Sequence, residues 1–291
     1  TGPDATYGRG ERERGARYLK GQWVDEWGCT WEAAEDGVAG EVKGPPLADW
    51  SALDSYEPPF EVLQNADLGR VDDSCRQTSR FVLASTLIRP FERMQFLRGS
   101  QNLFLDLGYA PAGLVRLRDM LHEFALQELE LWCATAVDGI SFMDDWGSMR
   151  GLLISPKTWR ELYKPLYAEY CQRIHRAGKF SFFHSDGNIT EIIPDLIEIG
   201  VDALNSQLFC MDLERVAERF RGRITFWGEL DRQHILPFGS AEDVWQAVRR
   251  VRRALDTGEG GVIAEFEWGN DTPLENVMAA FAAWEEPLEQ T

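Results

Sequence analysis

The chain has 291 residues, 44% of them hydrophobic and 12% aromatic, enough to bury a substantial core and to exclude a disordered chain. Its 48 acidic against 30 basic side chains give a formal charge of −18, which disfavours nucleic acid and anionic membrane surfaces as partners. Five cysteines with no C-x-x-C pair exclude a disulfide framework or zinc ribbon, and no apolar run reaches the ~18 residues of a membrane span, so a soluble, cytoplasmic protein is expected.

Residues 1–60 are rich in glycine, proline, tryptophan and charge, with Trp23, Trp27, Trp31, Pro45, Pro46, Pro58 and Pro59 among them, and keep neither a helical nor a strand period. Loops with short elements, packed through the tryptophans, are predicted there. From residue 80 onward, short apolar runs alternate with stretches of helical period, the pattern of repeated βα units around a parallel sheet. Strands are predicted at Arg80–Thr86, Asp138–Met143, Lys179–His184, Asp202–Asn205, Ile224–Trp227 and Gly261–Ala264. Leu114, Leu117, Leu121 and Phe124 recur at three- and four-residue spacing, as do Trp159, Leu162, Tyr163, Leu166, Tyr170 and Ile174, so each set forms one buried helical stripe. Gly178, Gly200 and Gly222 stand where helices end, and Ser240 with Asp243 forms a capping box. Six strands fit either a barrel lacking two units or an open doubly wound sheet; neither phosphate-binding glycine motif is present to favour the latter.

In a parallel barrel, catalytic side chains come from the carboxyl ends of the strands. Those ends carry Asp144, Asp145 and Trp146; then His184, Asp186 and Asn188; then Glu229, Asp231 and Arg232; then Glu265 and Glu267. His184 is the one histidine at a strand end, and with a carboxylate two residues on it suits metal ligation or acid–base work, or else a plain structural hydrogen bond. Of Asp144 and Asp145, one is expected to face the cavity and the other to cap a helix. The tryptophans suit core packing better than substrate stacking. Arg89, Arg150 and Arg232 flank strand ends, either to receive an anionic substrate group or to balance surface acids.

Asp144-Asp145-Trp146-Gly147 followed by Leu152-Leu153-Ile154-Ser155-Pro156, then His184-Ser185-Asp186-Gly187-Asn188, then Phe226-Trp227-Gly228-Glu229-Leu230-Asp231 with Leu236-Pro237-Phe238-Gly239, and Thr272-Pro273-Leu274-Glu275-Asn276, resembles the uroporphyrinogen decarboxylase superfamily from about residue 80 to the C-terminus. The resemblance implies a (β/α)8 TIM barrel forming one domain over residues 1–291, loop-rich over 1–79 and regular over 80–291. That barrel has two strands before the one at Arg80–Thr86, so an absent N-terminal portion, or a weak strand pattern before residue 80, is expected. The chain lacks the decarboxylases' M-R-Q-A-G-R-Y signature and has Ser85-Thr86-Leu87-Ile88-Arg89-Pro90 in place of their G-A-P-[WF]-T. It is more similar to the branch that holds corrinoid-dependent methyltransferases.

That branch implies zinc on a His-x-Cys pair and a later cysteine. By position these fall on His184, Asp186 and Glu267, with Glu265 as the fallback, so carboxylates replace both thiolates and the choice widens to other divalent metals. The resulting expectation is metal-assisted methyl transfer or demethylation of a small molecule, with methylcobalamin carried by a separate corrinoid protein, since no D-x-H-x-x-G motif is present. Asp145, His184, Asp186 and Glu229 are the expected catalytic residues, and Asp144, Trp146, Arg150, Asn188, Asp231 and Arg232 the expected substrate contacts. One alternative is a cofactor-free decarboxylase of a porphyrinogen-like or smaller polycarboxylate, with Asp145 as a charge-stabilising acid. Another is a non-catalytic tetrapyrrole-binding barrel, disfavoured by so many titratable groups at strand ends.

Overall fold

The computed structural model describes residues 19–287. They form two compact units, one of residues up to Asp144 with Arg173–Lys179, the other of Asp145–Gln172 with residues from Phe180 onward.

The first unit opens with an antiparallel sheet that the sequence pattern does not announce, β1 (Gly21–Val24), β2 (Thr30–Ala33) and β3 (Glu41–Gly44). Each strand has four residues, too few to establish a period of two. Trp23 and Trp31 stand opposite one another and stack at 6.1 Å, and Asp25 closes the intervening turn by accepting from the backbone N–H of Trp27 and Cys29. A 3-10 turn at Trp50–Asp54 and short helices α1 (Phe60–Gln64) and α2 (Gly69–Arg76) follow. Then β4 (Leu83–Ser85) pairs in parallel with β5 (Gly139–Met143), separated by α3 (Pro90–Arg98), α4 (Ser100–Tyr109) and α5 (Ala112–Cys133). The predicted stripe of α5 is buried and continues through Leu129 and Trp132. Among the described residues no parallel strand precedes β4.

The second unit starts with a tight hairpin, β6 (Gly147–Ser148) and β7 (Gly151–Leu152), then α6 (Pro156–Leu162) and α7 (Lys164–Arg176), the last of these up to Gln172. Four strands follow in consecutive parallel order: β8 (Phe180–Ser185), β9 (Ala203–Ser206), β10 (Thr225–Trp227) and β11 (Val262–Ile263). Phe183, Leu204, Phe226 and Val262 make one register row, and the next row places His184 beside Asn205. Helices α8 (Ile193–Ile199), α9 (Leu213–Phe220), α10 (Ile235–Phe238), α11 (Ala241–Leu255) and α12 (Leu274–Glu285) complete it. Ser240 and Asp243 form the reciprocal cap of α11, and Gly178, Gly200 and Gly222 all have positive φ. All six predicted strands occur inside their expected windows or one residue past them, though β4 is cut to three residues and β11 to two. All five cysteines are free, and no described helix is long and apolar enough to cross a membrane.

Candidate metal centre

Two loops of the second unit are clasped backbone to backbone. Gly147 donates its N–H to the Asp186 carbonyl at 3.1 Å, Asn188 donates to the Ser148 carbonyl at 2.8 Å, and the Trp146 N–H reaches Ser185 Oγ at 3.0 Å. A Cβ on Gly187, whose φ is +77°, would lie 2.2 Å from the Gly147 carbonyl carbon, and one on Gly147 would lie 2.6 Å from the Asp186 oxygen. Only glycine at both positions permits this approach. The clasp fixes Asp145 next to β8, where its Oδ1 accepts the backbone N–H of Asp186 at 3.0 Å.

His184 Nε2 then stands 3.6 Å from Asp145 Oδ1 and 3.6 Å from Asp186 Oδ1. Its Nδ1 meets Asn205 Oδ1 across the register row. The Asn205 amide nitrogen donates to the Trp227 carbonyl at 2.6 Å and to Glu265 at 3.1 Å, so its oxygen is the atom left for His184 and Nδ1 is the donor. Burial works against a charged imidazole, but Asp145, Asn205 and Asp186 outweigh it and raise its pKa to about 9. The Asp186 carboxyl is pushed upward by burial and by Asp145, against the pull of Arg232.

These three are the one group of His, Cys, Asp or Glu among the described residues whose donor atoms all lie within 4.8 Å of one another. Asp186 Oδ1 is buried without a hydrogen-bond partner. An imidazole nitrogen and two carboxylate oxygens are competent zinc donors, and 3.6 Å is close to the spacing of about 3.4 Å between donors bound tetrahedrally at ~2.1 Å. The residues present therefore fit a divalent metal.

Arg232 closes the other side, pairing with Asp186 and Glu267 and lying 3.7 Å from Glu229. Burial holds its charge down, but Glu229 and Asp186 raise its pKa in balance. Glu229 is 2% exposed, and burial pushes its carboxyl up to about 7. Glu229 and Arg232 wall a narrow cleft of about 30 Å³ together with Met149, Phe209, Cys210 and Leu230.

Asp145, His184, Asp186, Glu229 and Arg232 are thus near neighbours. Several other expected site residues stand elsewhere. Asp144 is fully buried and accepts the N–H groups of Phe91 and Glu92 at 2.8 and 2.7 Å, capping α3, whose own N-cap side chain makes no such bond. Trp146 is fully buried against Trp159, Tyr163 and Tyr167, with its indole N–H on the Tyr167 hydroxyl. Asn188 folds its side chain onto Thr190, and Asp231 accepts from the N–H groups of Gln233 and His234, each securing a turn. Arg150 is exposed. Glu267 lies outside the metal group, exposed and held by Arg232, and Asp145 takes the third place. Glu265 and Glu267 both lie beyond β11, which ends at Ile263. Glu265 turns to Asn205, its carboxyl raised by burial. Asn205, unremarked in the sequence, ends a predicted strand, and the same strand-end rule finds it. Gln207, which accepts the Gly187 N–H at 2.8 Å, lies just past that end and carries no comparable signal.

The family model for uroporphyrinogen decarboxylase (URO-D) matches residues 24–287. No curated protein matches the chain. Among solved structures, the chain is similar to a methyltransferase from Methanosarcina mazei, with a TM-score of 0.69 and 19% identity over 88% of this chain and 75% of that one. At that identity the likeness establishes the fold, which is the TIM barrel of the family.

Proposed function

Since the chain belongs to the uroporphyrinogen decarboxylase family, we propose that it is a metal-assisted methyltransferase or demethylase acting on a small oxygen- or sulfur-bearing molecule together with a separate, cobalamin-carrying corrinoid protein in the cytoplasm. The family match spans both units, which supports reading them as parts of one catalytic domain. The observation that carries the proposal is the buried, unpartnered Asp186 Oδ1, within 3.6 Å of His184 Nε2, with Asp145 completing the donor set.

Asp145, His184 and Asp186 hold the metal, in place of the set with Glu267. A bound zinc, manganese or iron ion supplies Lewis acidity that favours the deprotonated form of a substrate hydroxyl or thiol. Asn205 fixes the imidazole with Nε2 towards the two acids, so that a metal displacing its proton would meet the Nε2 lone pair there. Arg232 binds an anionic substrate group at the edge of the cleft once one of its carboxylate partners releases it. Glu229, with a carboxyl near neutrality at pH 7, accepts or returns a proton there. Met149, Phe209 and Leu230 give that cleft an apolar wall against which a methyl-bearing substrate rests.

Elemental analysis of protein purified without chelators tests the proposal: about one zinc, manganese or iron per chain is expected. Protein that stays metal-free after incubation with all three metals refutes it. The high pKa of His184 favours one second reading in that event, a cofactor-free decarboxylase in which imidazolium and Arg232 hold a polycarboxylate.

A further inference from the structure

The first unit holds a second polar site that the chemistry above does not use. Trp27, Arg89 and Arg93 line a narrow cleft whose remaining walls, Leu121, Phe124 and Ala125 among them, are apolar, and which leaves room for about one water-sized sphere. Each of the three polar side chains there carries a buried N–H with no hydrogen-bond partner, namely Trp27 Nε1, Arg89 Nε and Arg93 Nε. Buried donors are rarely left unmatched, and three on one small cleft call for an acceptor.

None of the three is free to swing away. Arg89 is tied to Glu92 at 2.9 Å, Arg93 is paired with Asp25 at 3.4 Å, and the Arg93 guanidinium lies 4.5 Å from the centre of the Trp27 ring. The backbone N–H of Leu87 is taken by Glu128 and that of Ile88 by Thr86. Glu128 lies within electrostatic reach of both arginines, and burial pushes its carboxyl up to about 7, so below that pH it is mostly neutral and opposes an incoming anion little. A monatomic anion can accept from all three donors at once without donating in return. Carboxylate, sulfate and phosphate are too large for the space.

We propose that this cleft is a halide site that takes a single chloride ion, held by Trp27 Nε1, Arg89 Nε and Arg93 Nε between two guanidinium groups. The site stands apart from the proposed activity and does not depend on it.

Two measurements on the full chain test it. Crystals soaked in sodium bromide should show one anomalous peak bounded by Trp27, Arg89 and Arg93. Thermal unfolding titrated with sodium chloride, at ionic strength held constant with sodium gluconate, should shift upward and saturate. The chloride midpoint should rise by about fivefold or more in Trp27→Phe, which keeps the stacked ring, and in Arg89→Lys, as expected for one lost hydrogen bond. The bromide map uses wild-type protein, so a variant that fails to fold leaves the test decisive. An ordered water with no anomalous signal, identical curves in chloride and gluconate, or unchanged midpoints in both folded variants would overturn the proposal.

Discussion

Asp145 Oδ1 accepts the backbone N–H of Asp186 at 3.0 Å, so the main chain of one acid aims the carboxylate of the other. In the proposed site, orientation and ligation would be joined in one residue. Asp145→Ala should therefore lower metal occupancy at least about tenfold, and His184→Ala should abolish it. Glu267→Ala should leave occupancy within about twofold, because that side chain is exposed and occupied by Arg232. Metal content by mass spectrometry after dialysis against a weak chelator checks all three, and a Glu267 variant that lost its metal while Asp145→Ala kept it would reverse the assignment.

The contact between Gly147 and Gly187 makes a stability prediction. Gly187→Ala forces a Cβ to 2.2 Å from a carbonyl carbon at a positive φ, and should cost at least about 3 kcal/mol. Gly178→Ala meets the same sign of φ with nothing within 4 Å, and should cost only about 1 kcal/mol. Urea unfolding of both variants beside wild type makes the comparison.

Arg232 opposes a cation at the site through its charge while neutralising Asp186, Glu229 and Glu267. Arg232→Gln should tighten metal binding by roughly tenfold, the effect of one partly buried positive charge removed at close range. Turnover should fall in the same variant. Competition against a fluorescent chelator reads the first effect, and weaker metal binding would contradict the role given to Arg232.

Glu128 in the first unit links stability to pH. Its carboxyl is pushed from 4.5 up to about 7 by burial, against the opposing hydrogen bonds of Leu87 and Trp132, and its Oε2 has no partner. Between those values the folded chain holds a proton that the unfolded chain has released, so this stabilisation is complete below about pH 4.5 and is lost as pH rises through about 7. The loss amounts to about 3 kcal/mol. Glu128→Gln should remove that slope, so the difference in unfolding free energy between wild type and variant should change by about this amount from pH 4.5 to pH 8, with wild type the more penalised at high pH.

Much of this arrangement is written locally in the chain. The strands of the βα units are short apolar runs closed by polar residues, and α5 carries a stripe and α11 a cap that need no distant partner to be read. His184 and Asp186 are visible because both sit at one strand end. What is hidden depends on pairs distant in sequence. Asp144 and Asp145 are adjacent and chemically alike, and only the approach of α3 decides which one caps a helix. Glu267 enters the metal set only by its position in the family pattern, and in the structure it lies past β11, exposed and held by Arg232. The sheet of β1 to β3 escapes because four-residue strands display their pattern only through their neighbours, as with Trp23 upon Trp31.

Asn205 reaches His184 because the two are level in the pairing of β8 with β9. Side chains alternate from face to face along a strand, so a slip of one residue would turn Asn205 away from the imidazole and break its links to Trp227 and Glu265 together. Correct strand alignment and a competent histidine are therefore one specification. A misassembled chain would be silent, not promiscuous, and activity itself would serve as the assay of folding fidelity.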